Sequence, residues 1–309
     1  MCIRDRFKPS FIFVEISSLN ISTEIIKWFI LLSIKDCKLI FSENQLLPPI
    51  KIKSNNLSAE FNPRITSLLN KFFLLISNKK NIILKIKSTK KPSNKSIQIL
   101  VPSRDADRYI ESYNSLTIKN ESIIFLDEMF TDHPDFNIVP QKFDKKYISN
   151  LKNPLKYYNE INRFLKHISE VKKLPLLISP HPKHNIKEAS EKFNFPISQI
   201  STLNAVAKAD LVIAHSSASI NFAILLKKPI ILYKSQPHEY SFCHRNLLIA
   251  FQKALDLKVF DYKTMHNFSP ENITINNQKY QEYIDNYLLP KGIYSPSYKI
   301  LNKFFIENL

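Results

Sequence analysis

The sequence predicts an α/β protein built as two parallel-sheet halves with a helical tail, and three observations carry that prediction. Short apolar runs of strand length alternate with stretches at helical spacing along most of the chain. Two of the runs end in polar turn-formers: residues 174–179 stop at Pro180-His181-Pro182, and 210–214 stop at His215-Ser216-Ser217. A third run, 123–126, opens an acidic, turn-rich segment from Asp127 to Asp135 that reads as a hinge between the halves. Parallel strands separated by helices bring their carboxyl ends to one rim, where open α/β sheets bind ligands. His181 and the Ser216-Ser217 pair should therefore share a rim, although 35 residues separate His181 from Ser216.

In chain order, strands are expected at 11–15, 38–41, 82–86 and 97–101, and helices at 22–33, 63–78 and 105–113. Pro63 suits a first helical turn behind Asn62 as cap. These elements form a first domain, 1–120, that reads as an incomplete unit of four strands. Met1 to Arg6 (MCIRDR) resembles translated adaptor, so the natural chain is expected to begin upstream. The second domain, 121–277, starts with the 123–126 strand and a long helix over 147–173, broken at Pro154. The helix carries Leu155, Tyr158, Ile161, Leu165 and Ile168 at helical spacing. After the 174–179 strand come a helix, the 210–214 strand and a helix marked by Ala218, Ile220, Phe222, Ala223, Leu225 and Leu226. A strand at 229–233, a helix near 239–255 and a strand at 257–262 complete this domain. The tail, 278–309, has two helix patterns around Pro290-Lys291-Gly292.

Composition removes several functions. Gly292 is the one glycine in 309 residues, so neither a Walker loop nor a G-x-G-x-x-G turn can form. A nucleotide would have to be held by hydroxyls and a helix end, and Ser216-Ser217 ahead of a helix supplies backbone N–H groups, side-chain donors and a positive dipole end. The net charge of +17 favours anionic partners, although the lysines are scattered as on an ordinary solvated surface. No nucleic-acid motif accompanies them, so no nucleic-acid partner is expected. Cysteines 2, 37 and 243 are odd in number and lack metal spacing, which fits a reducing compartment. The apolar stretch 25–34 is cut by Lys27 and falls far short of the ~20 residues of a membrane span. Glu15 likewise interrupts the run 11–14, so no signal peptide is read there. A cytoplasmic protein, with peripheral contact at the inner membrane compatible with its charge, is expected.

The ordered set Phe125-Leu126-Asp127-Glu128, His133-Pro134-Asp135-Phe136, His181-Pro182 and His215-Ser216-Ser217-Ala218 with Lys228-Pro229-Ile230-Ile231 resembles a known group. It is similar to bacterial glycosyltransferases of the two-Rossmann (GT-B) type that build surface polysaccharide, nearest the sialyltransferase-like and polysialyltransferase-like capsule enzymes. The resemblance covers roughly residues 103–233. It implies two Rossmann-like domains facing a cleft, the N-terminal one binding acceptor and the C-terminal one the nucleotide sugar. It further implies that His181, Pro182, Ser216 and Ser217 hold the nucleotide's phosphate. The group places an acidic pair followed by glycine at its general base, whereas Asp127-Glu128 is followed here by Met129.

Glycosyl transfer needs charge neutralised on the leaving phosphate and a proton removed from the acceptor hydroxyl. His181 can serve the phosphate, since an imidazole titrates near neutrality; the flanking prolines suit an ordinary turn equally well. Ser216 and Ser217 also read as helix caps, a role compatible with anion binding. His215 is assigned to core or rim without catalytic duty. The base is sought at Asp127 first, then at Asp105 and Asp107; Asp105 could instead cap a helix. His133 and Asp135 are candidates to shape the cleft, and no metal ligand set or cofactor is expected. The resulting expectation is a metal-independent transferase moving a sugar, sialic acid or a relative, from a CMP- or UDP-linked donor to a surface polysaccharide or lipooligosaccharide, an acidic or lipid-linked acceptor. The alternatives are a sugar-nucleotide epimerase of the same fold and a non-catalytic, truncated glycan-binding domain.

Overall fold

The computed structural model describes residues 97–129, 131, 154–235, 242–263, 268–269 and 273–308, together with the strands at 11–15, 38–43 and 82–87. The helices expected at 22–33 and 63–78, the stretch 147–153, and His133 and Asp135 lie outside the described residues. The chain divides into two compact units. The first comprises 1–46, 53–107 and 285–309, and the second 47–52 and 108–284.

The first unit contains β1 (Phe11–Glu15), β2 (Lys38–Glu43), β3 (Ile82–Lys87) and β4 (Ile97–Leu100), paired in parallel in the order β1-β2-β3-β4. Helix α1 (Arg104–Ser112) follows β4 and runs across the division between the units. Its first turn is capped by Ser103, whose Oγ accepts from Ala106 N at 3.2 Å. The cap is thus Ser103 and not Asp105, a correction: Asp105 already lies within the helix.

The second unit carries β5 (Ser122–Leu126), β6 (Leu176–Ser179), β7 (Ala209–Ala214), β8 (Ile230–Lys234) and β9 (Val259–Asp261) in one parallel sheet ordered β6-β5-β7-β8-β9. Counted from β5, that is the doubly wound order 2-1-3-4-5, whose reversal point lies between β5 and β7. All five residues of β5 are buried, Ser122 together with the apolar run 123–126, as a strand covered on both faces should be.

Helix α2 is described over Pro154–Lys172; the stretch before Pro154, where the same helix was expected to break, lies outside the described residues. Its buried stripe is Tyr157, Tyr158, Ile161, Phe164, Leu165 and Ile168, so the helix is phased slightly away from Leu155, which is 68% exposed. Phe164 stacks on Tyr233 of β8 with centroids 3.9 Å apart. Where one helix was expected between 181 and 210, there are two, α3 (Ile186–Lys192) and α4 (Thr202–Lys208). Pro196 lies between them, and Ile197 there forms a parallel bridge to Ile178 at the β6 edge. Helix α5 (Ile220–Leu225) is buried along its whole length, and α6 (Phe242–Leu255) follows β8.

The tail does not stand apart. Helix α7 (Asn277–Tyr283) lies in the second unit, and α8 (Ser297–Asn308) in the first. On α8, Ile300, Leu301, Phe304 and Phe305 pack against Ile99 and Val101. Ser297 N donates to Asp107 Oδ1 at 2.8 Å, fixing the start of that helix. No helix among the described residues is long and apolar enough to cross a membrane.

Candidate functional site

The interior strand β5 releases Asp127 and Glu128 at its carboxyl end, between the ends of β6 and β7. These residues were expected in an interdomain hinge; instead they belong to the rim of the second unit's own sheet. They face opposite neighbours. Asp127 serves the loop after β6: its Oδ2 lies 2.8 Å from His184 Nδ1 and accepts from His181 N at 3.4 Å. Its Oδ1 accepts from Met129 N at 2.9 Å. Glu128 serves the loop after β7, accepting from both the backbone N–H and the hydroxyl of Ser216, the latter at 2.9 Å. One dipeptide therefore binds His181 and Ser216 into a single network at the switch point of the sheet.

The side chains of Asp127 and His184 have no exposed surface. A carboxylate only accepts, so His184 Nδ1 holds the proton and donates it to Asp127. His184 Nε2 is buried without a hydrogen-bond partner. Sequence reading missed His184; the signal available was a second histidine three residues beyond His181, at the spacing of one tight turn. His184 N indeed donates to His181 O at 2.8 Å. Asp127, saturated and enclosed, positions this turn and is not presented as a base to an acceptor hydroxyl.

His181 is half-buried and Pro182 exposed. The Nδ1 of His181 accepts from Lys183 N at 3.2 Å, which leaves Nε2 as the donor nitrogen of the ring. Ser216 is buried and Ser217 half-buried. Neither opens a helix directly. The cap position of α5 is Ser219, and Ser217 Oγ accepts from Ser219 N at 3.2 Å in the turn leading to it. The expectation that the pair caps the helix is corrected accordingly. Asp105 belongs to the first unit, buried in the first turn of α1.

Glu128 is pushed up to about 7, first by burial and also by the charge of Asp127, against the lowering effect of the Ser216 and Ser217 hydrogen bonds. His215 is fully buried, as expected of a core residue. Its Nδ1 donates to Tyr233 O at 2.6 Å and its Nε2 pairs with the Tyr157 hydroxyl at 2.9 Å. Burial, outweighing the Tyr233 carbonyl and the Asp127 charge, lowers it to about 4, so the ring is neutral. Met129 adopts φ 52, the left-handed region that favours glycine. The position where the resemblance would place glycine thus keeps a glycine-like backbone while carrying a buried methionine.

Among the described residues no three histidine, cysteine or carboxylate side chains gather as a metal site. No protein-family model matches the chain, and no curated protein matches it. Among solved structures it is similar to S. aureus MnaA in complex with UDP, at 15% identity and a TM-score of 0.46, over 98% of this chain and 76% of that one. It is similar to the wall teichoic acid polymerase TagF at 14% identity and a TM-score of 0.42, over 88% and 69%. A putative UDP-N-acetylglucosamine 2-epimerase from Listeria monocytogenes matches at 10% identity and a TM-score of 0.43, over 97% and 75%.

Proposed function

We propose that the chain is a nucleotide-sugar enzyme of the two-Rossmann type, a glycosyltransferase that moves a sugar from a CMP- or UDP-linked donor to a surface-glycan acceptor. The observation that supports this reading is the network at the sheet's switch point, where loops after three adjacent strands meet through Asp127 and Glu128. In this reading the donor's phosphate meets Ser216, Ser217 and the Nε2–H of His181. These donors would stabilise negative charge as the sugar–phosphate bond breaks. His184, with Nδ1 tied to Asp127 and its backbone N–H bonded to His181 O, holds the turn that carries His181. A sialic acid or related acidic sugar as cargo, and a polysaccharide or lipooligosaccharide as acceptor, follow from the sequence resemblance and fit the +17 charge.

The test is calorimetry with CMP, UDP, CDP and GDP on wild type, His181→Ala and the double variant Ser216→Ala/Ser217→Ala. Each lost charge-assisted hydrogen bond is worth about 1.5–3 kcal/mol, so an affinity loss of roughly tenfold or more is expected in each. Unchanged affinity in both variants rules the site out. Incubating the preferred donor sugar without acceptor then separates transfer from epimerisation, because only an epimerase alters the sugar under those conditions.

A further inference from the structure

The two Ser216 donors proposed to hold phosphate already have an occupant. Both go to the Glu128 carboxylate, which reaches them from the neighbouring strand. Two anions cannot share one N–H and one hydroxyl, because the second would meet the first's charge in place of a donor. Nor is Glu128 placed to swing far. Its backbone lies between Asp127, anchored to two loops, and Met129, fixed in a left-handed turn by its N–H bond to Asp127.

Building on the reading above, we propose that Glu128 makes phosphate binding at Ser216 proton-dependent: the phosphate takes over the Ser216 N–H and hydroxyl, while Glu128 stays beside it as a neutral acid and donates a hydrogen bond to it. The proton comes from solvent and no covalent bond changes. The groups facing Glu128 favour that neutral form. Asp127 adds a negative charge on the same turn, and Ser216 and Ser217 contribute donors from the β7 loop. Tyr157 of α2 is held well above the usual phenol range by burial and by the Asp127 and Glu128 charges, so it stays an uncharged hydroxyl. His215, at the end of β7, is buried and neutral. No cation in this set would hold Glu128 ionised, and an incoming phosphate adds further negative charge. With its midpoint near 7, Glu128 can take up the proton under ordinary conditions.

The experiment is calorimetric titration of the full chain with CMP and with UDP between about pH 7 and 9, where a terminal phosphate with a second pKa of about 6 is already ionised. Each titration is repeated in two buffers of different ionisation enthalpy, which counts protons directly on wild type. The expected result is uptake approaching one proton per nucleotide and an affinity that falls nearly tenfold per pH unit in this window. Glu128→Gln, whose amide donates as the neutral acid would, should keep the high affinity across the window and take up no proton. A pH-independent wild-type affinity without proton uptake overturns the role of Glu128 and leaves the nucleotide site standing; so does a Glu128→Gln variant that tracks the wild-type decline. Absence of nucleotide binding to both proteins overturns the site itself and this proposal with it.

Discussion

At the residue scale, adjacent carboxylates in the sequence do different work because each faces a different loop. Asp127 is fully enclosed and accepts from His184, His181 and Met129. Asp127→Ala strands the His184 Nδ1–H and the Met129 N–H in a buried place and removes a bond to half-buried His181, and should lower unfolding free energy by about 3 kcal/mol in urea titration. Glu128 behaves differently, because its native pKa is raised to about 7. Between about pH 4.5 and 7 the native state then holds more protons than the unfolded chain, so the stability linked to Glu128 declines as pH rises through that window. His215 works in the opposite sense. Its native pKa is lowered to about 4, so its contribution is complete above about 6.5 and is lost as pH falls toward 4. Comparing wild type with Glu128→Gln cancels the His215 term. The variant should gain on wild type by on the order of 2 kcal/mol from about pH 5 to 7.5, with half-burial allowed for. A constant difference would deny the raised pKa. The acidic pair was legible in sequence as a candidate; which carboxylate was sealed and which titratable was not, because one residue's shift in chain position exchanges the loop it meets.

At the element scale, the near absence of glycine leaves a mark on the helix ends. Lys173, Lys227 and Asp256 have φ of 52, 51 and 55, one or two residues past α2, α5 and α6. Around them run the six-to-one bonds of helix-closing turns: Leu174 N to Ser169 O, Lys228 N to Ala223 O and Leu257 N to Gln252 O. Glycine is the usual occupant of that position because a Cβ there is strained by roughly 1–2 kcal/mol. Glycine's greater freedom in the unfolded chain offsets part of this. Each of Lys173→Gly, Lys227→Gly and Asp256→Gly should therefore stabilise the fold by about 0.5–1 kcal/mol, nearly additively, read as a rise in urea midpoint. Met129→Gly is expected to go the other way. It relieves the same strain but removes a buried side chain worth about 2 kcal/mol. The helix bodies were readable from apolar spacing. Their ends were less so, because the residue that normally announces a helix stop is missing.

At the scale of the molecule, the last helix completes the first unit. Without α8, Ile99 and Val101 lose their cover of Ile300, Leu301, Phe304 and Phe305, and Asp107 loses the Ser297 N–H. Truncation after Leu288 should open β4 to hydrogen exchange by roughly a hundredfold, corresponding to about 3 kcal/mol of lost burial. The β5 and β7 amides, paired within the second unit, should keep their protection. Equal loss of protection in β4 and β5 would refute this assignment of the helix.

The sequence by itself determined the strands and the rim. Unbroken apolar runs such as 123–126 and 211–214 cannot be satisfied except as buried strands, and parallel crossovers send their carboxyl ends the same way. It also excluded glycine-dependent phosphate loops. Tertiary structure alone decided that Glu128 fills the Ser216 donors, that Asp127 holds His184, and that α8 returns to β4. The partners in those contacts lie 88, 57 and about 200 residues apart. Local spacing governs what a segment becomes, whereas the order in which strands join the sheet governs which strand ends become neighbours. Placing β5 between β6 and β7 is what turned one acidic dipeptide into the junction of the site.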